Sequence, residues 1–141
     1  MRPPVPDCLR RRVTGWARRT RILVRGVRYR RLDGVRRGDL VTVALQGEQG
    51  KPRPALIIQA DLFHDLHSVT VLPITGMLLD APLTRIMVHP NDRNGLSKPS
   101  QIMVDKPQTP LRSKLGPVFG DLDDVTMIAV NRALALFLGL A

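Results

Sequence analysis

Three side chains able to do phosphoryl chemistry without a metal stand near the middle of this chain. Within "GEQGKPRPALIIQ" (Gly47–Gln59), a carboxylate, Glu48, and a guanidinium, Arg53, are five positions apart. A carboxylate can take the proton of a ribose 2′-hydroxyl. A guanidinium, permanently charged and fork-shaped, can hold a phosphate and stabilise charge as it builds in a transition state. Pro52 and Pro54 flank Arg53 and stiffen its backbone. The third side chain is Thr75, which ends "LPITG" just before Gly76 and can give a hydroxyl to a phosphate oxygen. On spacing alone the bland alternatives are stronger. Such a loop reads as a solvated turn with an incidental ion pair worth under about 1 kcal/mol. Most threonines in such a place bond a turn amide. A further segment, "LSKPSQIMVDKPQT" (Leu96–Thr109), carries Ser100, Gln101, Asp105 and Gln108. Polar side chains around a strand can read base edges in a single strand; an edge strand with a polar face is the commoner case.

These residues need a scaffold, and the texture of the chain changes where it begins. Of the 22 basic residues, 13 are arginines that precede Gly38, alongside two of the 12 acids. The formal charge of +10 therefore sits in a basic arm, and the rest is nearly neutral. The arm, 1–34, has no sustained period of 2 or 3.6, and like charges at this density resist collapse. Three readings of it stay open: a disordered extension, an RNA grip using Trp16 and Tyr29, or a translated upstream stretch with the native start at Val35. The domain proper is read as 35–141.

Within that domain the expected strands are Asp39–Leu45, Pro54–Gln59, His67–Ile74, Leu83–His89 and Gln101–Asp105, with short ones near Gln108 and Val118. Arg53 is thereby placed in the preceding loop. His89–Ser100 is dense in turn formers. The end, "GDLDDVTMIAVNRALALFLGLA", reads as one amphipathic helix with Asp121 as N-cap, Asp123 and Asp124 in its first turn and Gly139 as the stop. Its apolar face is expected to run through Leu122, Val125, Met127, Ile128, Val130, Leu134, Phe137 and Leu138. The fold class is mainly β with a C-terminal α-helix, in a small, strongly bent sheet or barrel. The single cysteine, Cys8, rules out an internal disulfide and fits a reducing cytoplasm. No apolar run approaches a membrane span. His64 and His67 lack neighbours that would complete a metal site and read as surface histidines.

Taken in order, the pieces resemble the MazF/PemK family of toxins from toxin–antitoxin pairs. "RRGDLVTVAL" (Arg36–Leu45) is similar to that family's opening strand, and "GEQGKPRPALIIQ" carries its Glu-Gln-Gly…Arg-Pro pattern. "VTVLPITG" (Val69–Gly76) resembles the strand ending in the catalytic threonine. "PSQIMVDKPQT" (Pro99–Thr109) resembles the segment with its Ser/Asp and Gln positions, and "KLGPVFGDLDDVTMIAVNRALALFLGL" its last strand and helix. The resemblance spans Val35 to Ala141 and implies an SH3-like barrel of the MazF/CcdB/PemK kind. It also implies a homodimer with no cofactor and no metal, a cognate acidic antitoxin as partner, and cytoplasmic work on single-stranded mRNA. The implied activity is sequence-specific endoribonuclease cleavage, in which the 2′-oxygen attacks phosphorus and leaves a cyclic phosphate. Arg53 and Thr75 would be the catalytic pair, with Glu48 or a neighbour as base. Lys51, Ser100, Gln101, Asp105, Gln108 and Arg112 are the RNA-binding candidates. Thr42 and Pro52 depart from the family pattern, so a cut-site preference does not carry over. Two rivals are a CcdB-like gyrase poison of the same fold and a plain RNA-binding module. The chain ends in "FLGLA", without the Trp-Gly-Ile end such a poison uses.

Overall fold

The computed structural model describes residues 34–45 and 51–141. The basic arm up to residue 33 and Glu48 lie outside the described residues. Six strands and one helix follow: β1 Asp39–Ala44, β2 Pro52–Ile57, β3 Val71–Thr75, β4 Arg85–Val88, β5 Ser100–Met103, β6 Leu115–Asp121 and α1 Asp124–Phe137. The strands form one antiparallel sheet in the order β4-β5-β3-β2-β1-β6. The expected barrel is not closed: β4 and β6 remain the two ends of the sheet.

Both faces of the central strands are apolar, and each face has its own core. Leu40, Leu56, Leu72, Ile74 and Ile102 point to one side, where Leu122 and Val130 of the C-terminal segment cover them. Val41, Val43, Ala55, Ile57 and Val71 point to the other, joined by Val69 and Leu115. This is strict period-2 alternation with both sides buried. The chain after β5 runs back alongside β3, held by isolated bridges of Val71 to Gln108 and Ser68 to Leu111. The β1–β6 pairing shifts register twice, between Leu40 and Val41 and between Val41 and Val43. Such bulges bend a strand and raise its twist, which gives the sheet its curl. In the turn-rich tract before β5, buried Asn94 accepts from the Asn91 and Leu96 amides and donates to the His89 carbonyl.

Several boundaries differ from the sequence reading: β3 begins at Val71 and not His67, β4 at Arg85 and not Leu83, and Gln108 makes only an isolated bridge. β2 begins at Pro52, so Arg53 lies on a strand and not in a loop. The helix is capped by Asp123, whose side chain accepts from the Thr126 amide at 2.7 Å, and not by Asp121. Asp121 closes β6 and pairs with Arg93 at 3.1 Å. The helical face is narrower than its apolar residues suggest. Val130 is buried and Met127 and Leu134 pack on the core, but Val125, Ile128 and Phe137 are exposed. Gly139 ends the helix with φ of 73°, the left-handed conformation a glycine adopts without strain.

Candidate active site

Arg53 and Thr75 line one cleft beside the β2–β3 ladder. β2 pairs with β3 through Ala55↔Pro73, Leu56↔Leu72 and Ile57↔Val71. The same register carried two residues further would align Arg53 with Thr75, on the face of the second core. The ladder between these strands stops at Ala55, so Pro52–Pro54 are paired with β1 alone. Proline, lacking an N–H, belongs at such a place, where no ladder bond is needed from it. What opens where the ladder lapses is a cleft of about 760 Å³. Leu45 and Pro73, at the end of the second core, form part of its wall.

The cleft is cationic. Arg53, Arg85, Lys98 and Lys106 line it, with Thr75 and Gln108 between them, and no carboxylate is among its described lining residues. Lys98 is brought in by Gly76. A Cβ on Gly76 would stand 2.3 Å from the Lys98 Cε and 2.7 Å from its Nζ, so the lysine stem lies across the glycine immediately after Thr75. The Thr75 Oγ1 accepts from the Met77 amide at 3.1 Å. A hydroxyl has one proton to give and two lone pairs. The turn bond uses a lone pair and leaves the proton for an incoming oxygen. The bland reading of Thr75 as a turn-bonding residue and the chemical one are thus compatible.

The remaining candidates fall into three groups. Gln108 lines the cleft. Ser100, Gln101 and Asp105 surround it through bonds within the protein. Buried Gln101, opposite Thr75 on β5, clamps Leu79 through both backbone groups at 2.9 Å. Buried Ser100 donates to the Lys98 carbonyl at 2.9 Å, and Asp105 accepts from Arg85 at 2.8 Å. Lys51 is exposed just ahead of β2 and is not part of the cleft wall. Arg112 is elsewhere: its Nε donates to the Leu66 carbonyl at 3.0 Å, and it borders a separate small recess with His64. Sequence reading missed Arg85, Lys98 and Lys106. The two lysines bracket β5 and were visible as charges beside the polar strand; Arg85 enters only because β4 pairs with β5, setting Arg85 beside Met103.

A family model for the PemK-like, MazF-like toxin of type II toxin–antitoxin systems matches residues 36–138. The chain belongs to this family. A probable endoribonuclease MazF of Mycolicibacterium smegmatis is 48% identical over 108 residues, covering 76% of this chain and 99% of the relative. Among solved structures, the Mycobacterium tuberculosis toxin MazF-mt6 is 29% identical with a TM-score of 0.64, over 73% of this chain and 98% of that one. An endoribonuclease in complex with its cognate antitoxin, from mycobacterial species, has a TM-score of 0.66 at 24% identity, over 77% and 98% of the two chains. That last likeness bears on the fold alone. The match selects the MazF-like toxin over the gyrase-poison alternative.

Proposed function

We propose that the endoribonuclease activity of this MazF-like toxin resides in the Arg53–Thr75 cleft and needs no metal. The ribose 2′-oxygen attacks the adjacent phosphorus, the bond to the 5′-oxygen breaks, and the products are a 2′,3′-cyclic phosphate and a 5′-hydroxyl. The 2′-proton passes to a base, Glu48 or a neighbour, and a proton reaches the leaving 5′-oxygen. Arg53 steadies the charge on the phosphorane and Thr75 donates to one of its oxygens. Lys98, Lys106 and Gln108 hold the strand on either side. The observation that carries this reading is one cleft whose wall holds a guanidinium, Arg53, and a hydroxyl, Thr75, together with two lysines.

Single-stranded RNA is the substrate such a cleft fits, because unstacked bases can enter a groove that a duplex cannot. A cognate acidic antitoxin would compete for the same cations. A homodimer would cover Val125, Ile128 and Phe137, which α1 leaves exposed. A cytoplasmic setting goes with mRNA as target; no helix among the described residues is long and apolar enough to cross a membrane. The test is to incubate purified protein with single-stranded RNA in EDTA and analyse the new ends. Cyclic phosphates and 5′-hydroxyls are expected. Cleavage that stops in EDTA, or that leaves 5′-phosphates, would overturn the mechanism.

A further inference from the structure

Gly76 follows Thr75 directly, and its backbone does not call for a glycine. It is not among the positive-φ glycines, which are Gly34, Gly38, Gly95 and Gly139. What excludes a side chain there is Lys98. The three nearest atoms that a Cβ on Gly76 would meet all belong to this lysine: the Cε at 2.3 Å, the Nζ at 2.7 Å and the Cδ at 3.4 Å. The first two are closer than non-bonded atoms pack. The lysine is anchored at its base. Thr75 pairs with Gln101 across the β3–β5 ladder, just after Lys98 in the chain. Ser100 donates its hydroxyl to the Lys98 carbonyl at 2.9 Å, and Pro99 disfavours helical backbone at the residue before it. Lys98 is exposed and lines the cleft. Among the described residues no carboxylate is paired with it, whereas Asp105 holds the Arg85 Nη1 at 2.8 Å. The lysine's charge is therefore open to a solute, and that of Arg85 is not.

We propose that Lys98 is a further catalytic residue. Gly76 leaves room for its stem, and its ammonium stands beside Thr75 and contacts a non-bridging oxygen of the scissile phosphate. A phosphodiester carries a single negative charge. Attack by the 2′-oxygen, once its proton has passed to the base, doubles that charge on the phosphorane. A cation held there gains more from the transition state than from the substrate, and only that difference speeds the reaction. Arg53 supplies a planar fork and Lys98 a point charge. Lys98 forms no covalent bond and keeps its protons. This role goes beyond holding the strand, and it rests on the cleft being the RNA-cutting site.

The experiment first maps a wild-type cut site and then measures single-turnover cleavage of one short RNA containing it, at saturating enzyme in EDTA. Affinity is measured separately at several salt concentrations, on the same RNA with a 2′-deoxy residue at the cut. Lys98→Met keeps the stem and removes the charge. It should lower the saturating rate about 10²-fold. Gly76→Ala keeps every charge and displaces the ammonium. It should melt as the wild type does, because the far end of a lysine swings aside at little cost, and should lower the saturating rate about tenfold or more. Both act through one ammonium, so the double variant should be no slower than Lys98→Met alone. If Gly76→Ala does not fold, Lys98→Met decides the matter by itself. A Lys98→Met protein that binds more weakly with a flatter salt slope, but cuts at the wild-type rate once saturated, would assign the lysine to strand holding and overturn the inference. So would a folded Gly76→Ala protein at the wild-type rate, or losses that multiply in the double variant. Each of these results leaves the nuclease standing. A wild type that cuts no RNA overturns both readings.

Discussion

Arg53 stands on β2 opposite Val43, its position fixed by a ladder rather than by a loop, and it is exposed at the end of the second core. Its replacement should therefore alter chemistry more than folding. Arg53→Lys is expected to keep the fold and still lose most activity, because an ammonium cannot make the bidentate contact. Single-turnover cleavage at saturating enzyme measures this, and a lysine variant near wild-type rate would show that charge alone suffices. Thr75→Ala removes one neutral hydrogen bond, worth about 0.5–1.5 kcal/mol, so roughly a two- to tenfold loss is expected. A Thr75→Ser protein should recover most of it; recovery by neither serine nor any other hydroxyl would mean that Thr75 matters only for the turn at Met77.

The elements set where these side chains meet, and the helix cap offers a separate test of the frame. The Thr126 amide, first through its bond to the carboxylate, holds Asp123 below its ordinary value. A depressed folded-state value means that the cap stabilises the fold above the ordinary carboxylate range. That contribution is lost as pH falls through the lowered value. Asp123→Ala should cost about 1 kcal/mol at neutral pH, seen as a lower melting temperature. Asp123→Asn should keep most of the cap and show a shallower loss of stability on acidification. Equal acid slopes for wild type and Asn would refute this account of the cap. The same elements explain what could be read in the sequence. Composition in Asp39–Leu45 and alternation in His67–Ile74 announced strands, and the aspartate-rich start and glycine stop announced a helix. Arg53 and Thr75 were legible as candidates by type and by family pattern. That they line one cleft was not, because how two strands come together is a property of both. Ser100 and Gln101 illustrate the limit: on β5, an interior strand between β3 and β4, their polar atoms are used inside the protein. Arg85 falls within the expected strand Leu83–His89, and only the β4–β5 ladder sets it toward the cleft.

At the scale of the whole molecule, a nearly neutral domain presents a local group of cations, and the excess charge lies ahead of it in sequence. If the arm engages RNA with about six arginines, it should add a slope of about −4 to log K against log salt for a single strand. Phosphate contacts position and do not specify, so deleting Met1–Gly34 should leave the cut sites unchanged and at most flatten that slope. Comparing full-length and truncated protein on one RNA at several salt concentrations checks this. A change of cut sites would make the arm part of the recognition surface. The central claim is that a guanidinium on β2, sharing one cleft with a hydroxyl on β3, does the cutting, and its most direct measurement is the single-turnover rate of Arg53→Ala on single-stranded RNA in EDTA. The variant should melt as the wild type does and cut about 10²- to 10³-fold more slowly, the usual cost of one lost transition-state contact. A folded Arg53→Ala protein that cuts at the wild-type rate would contradict the account.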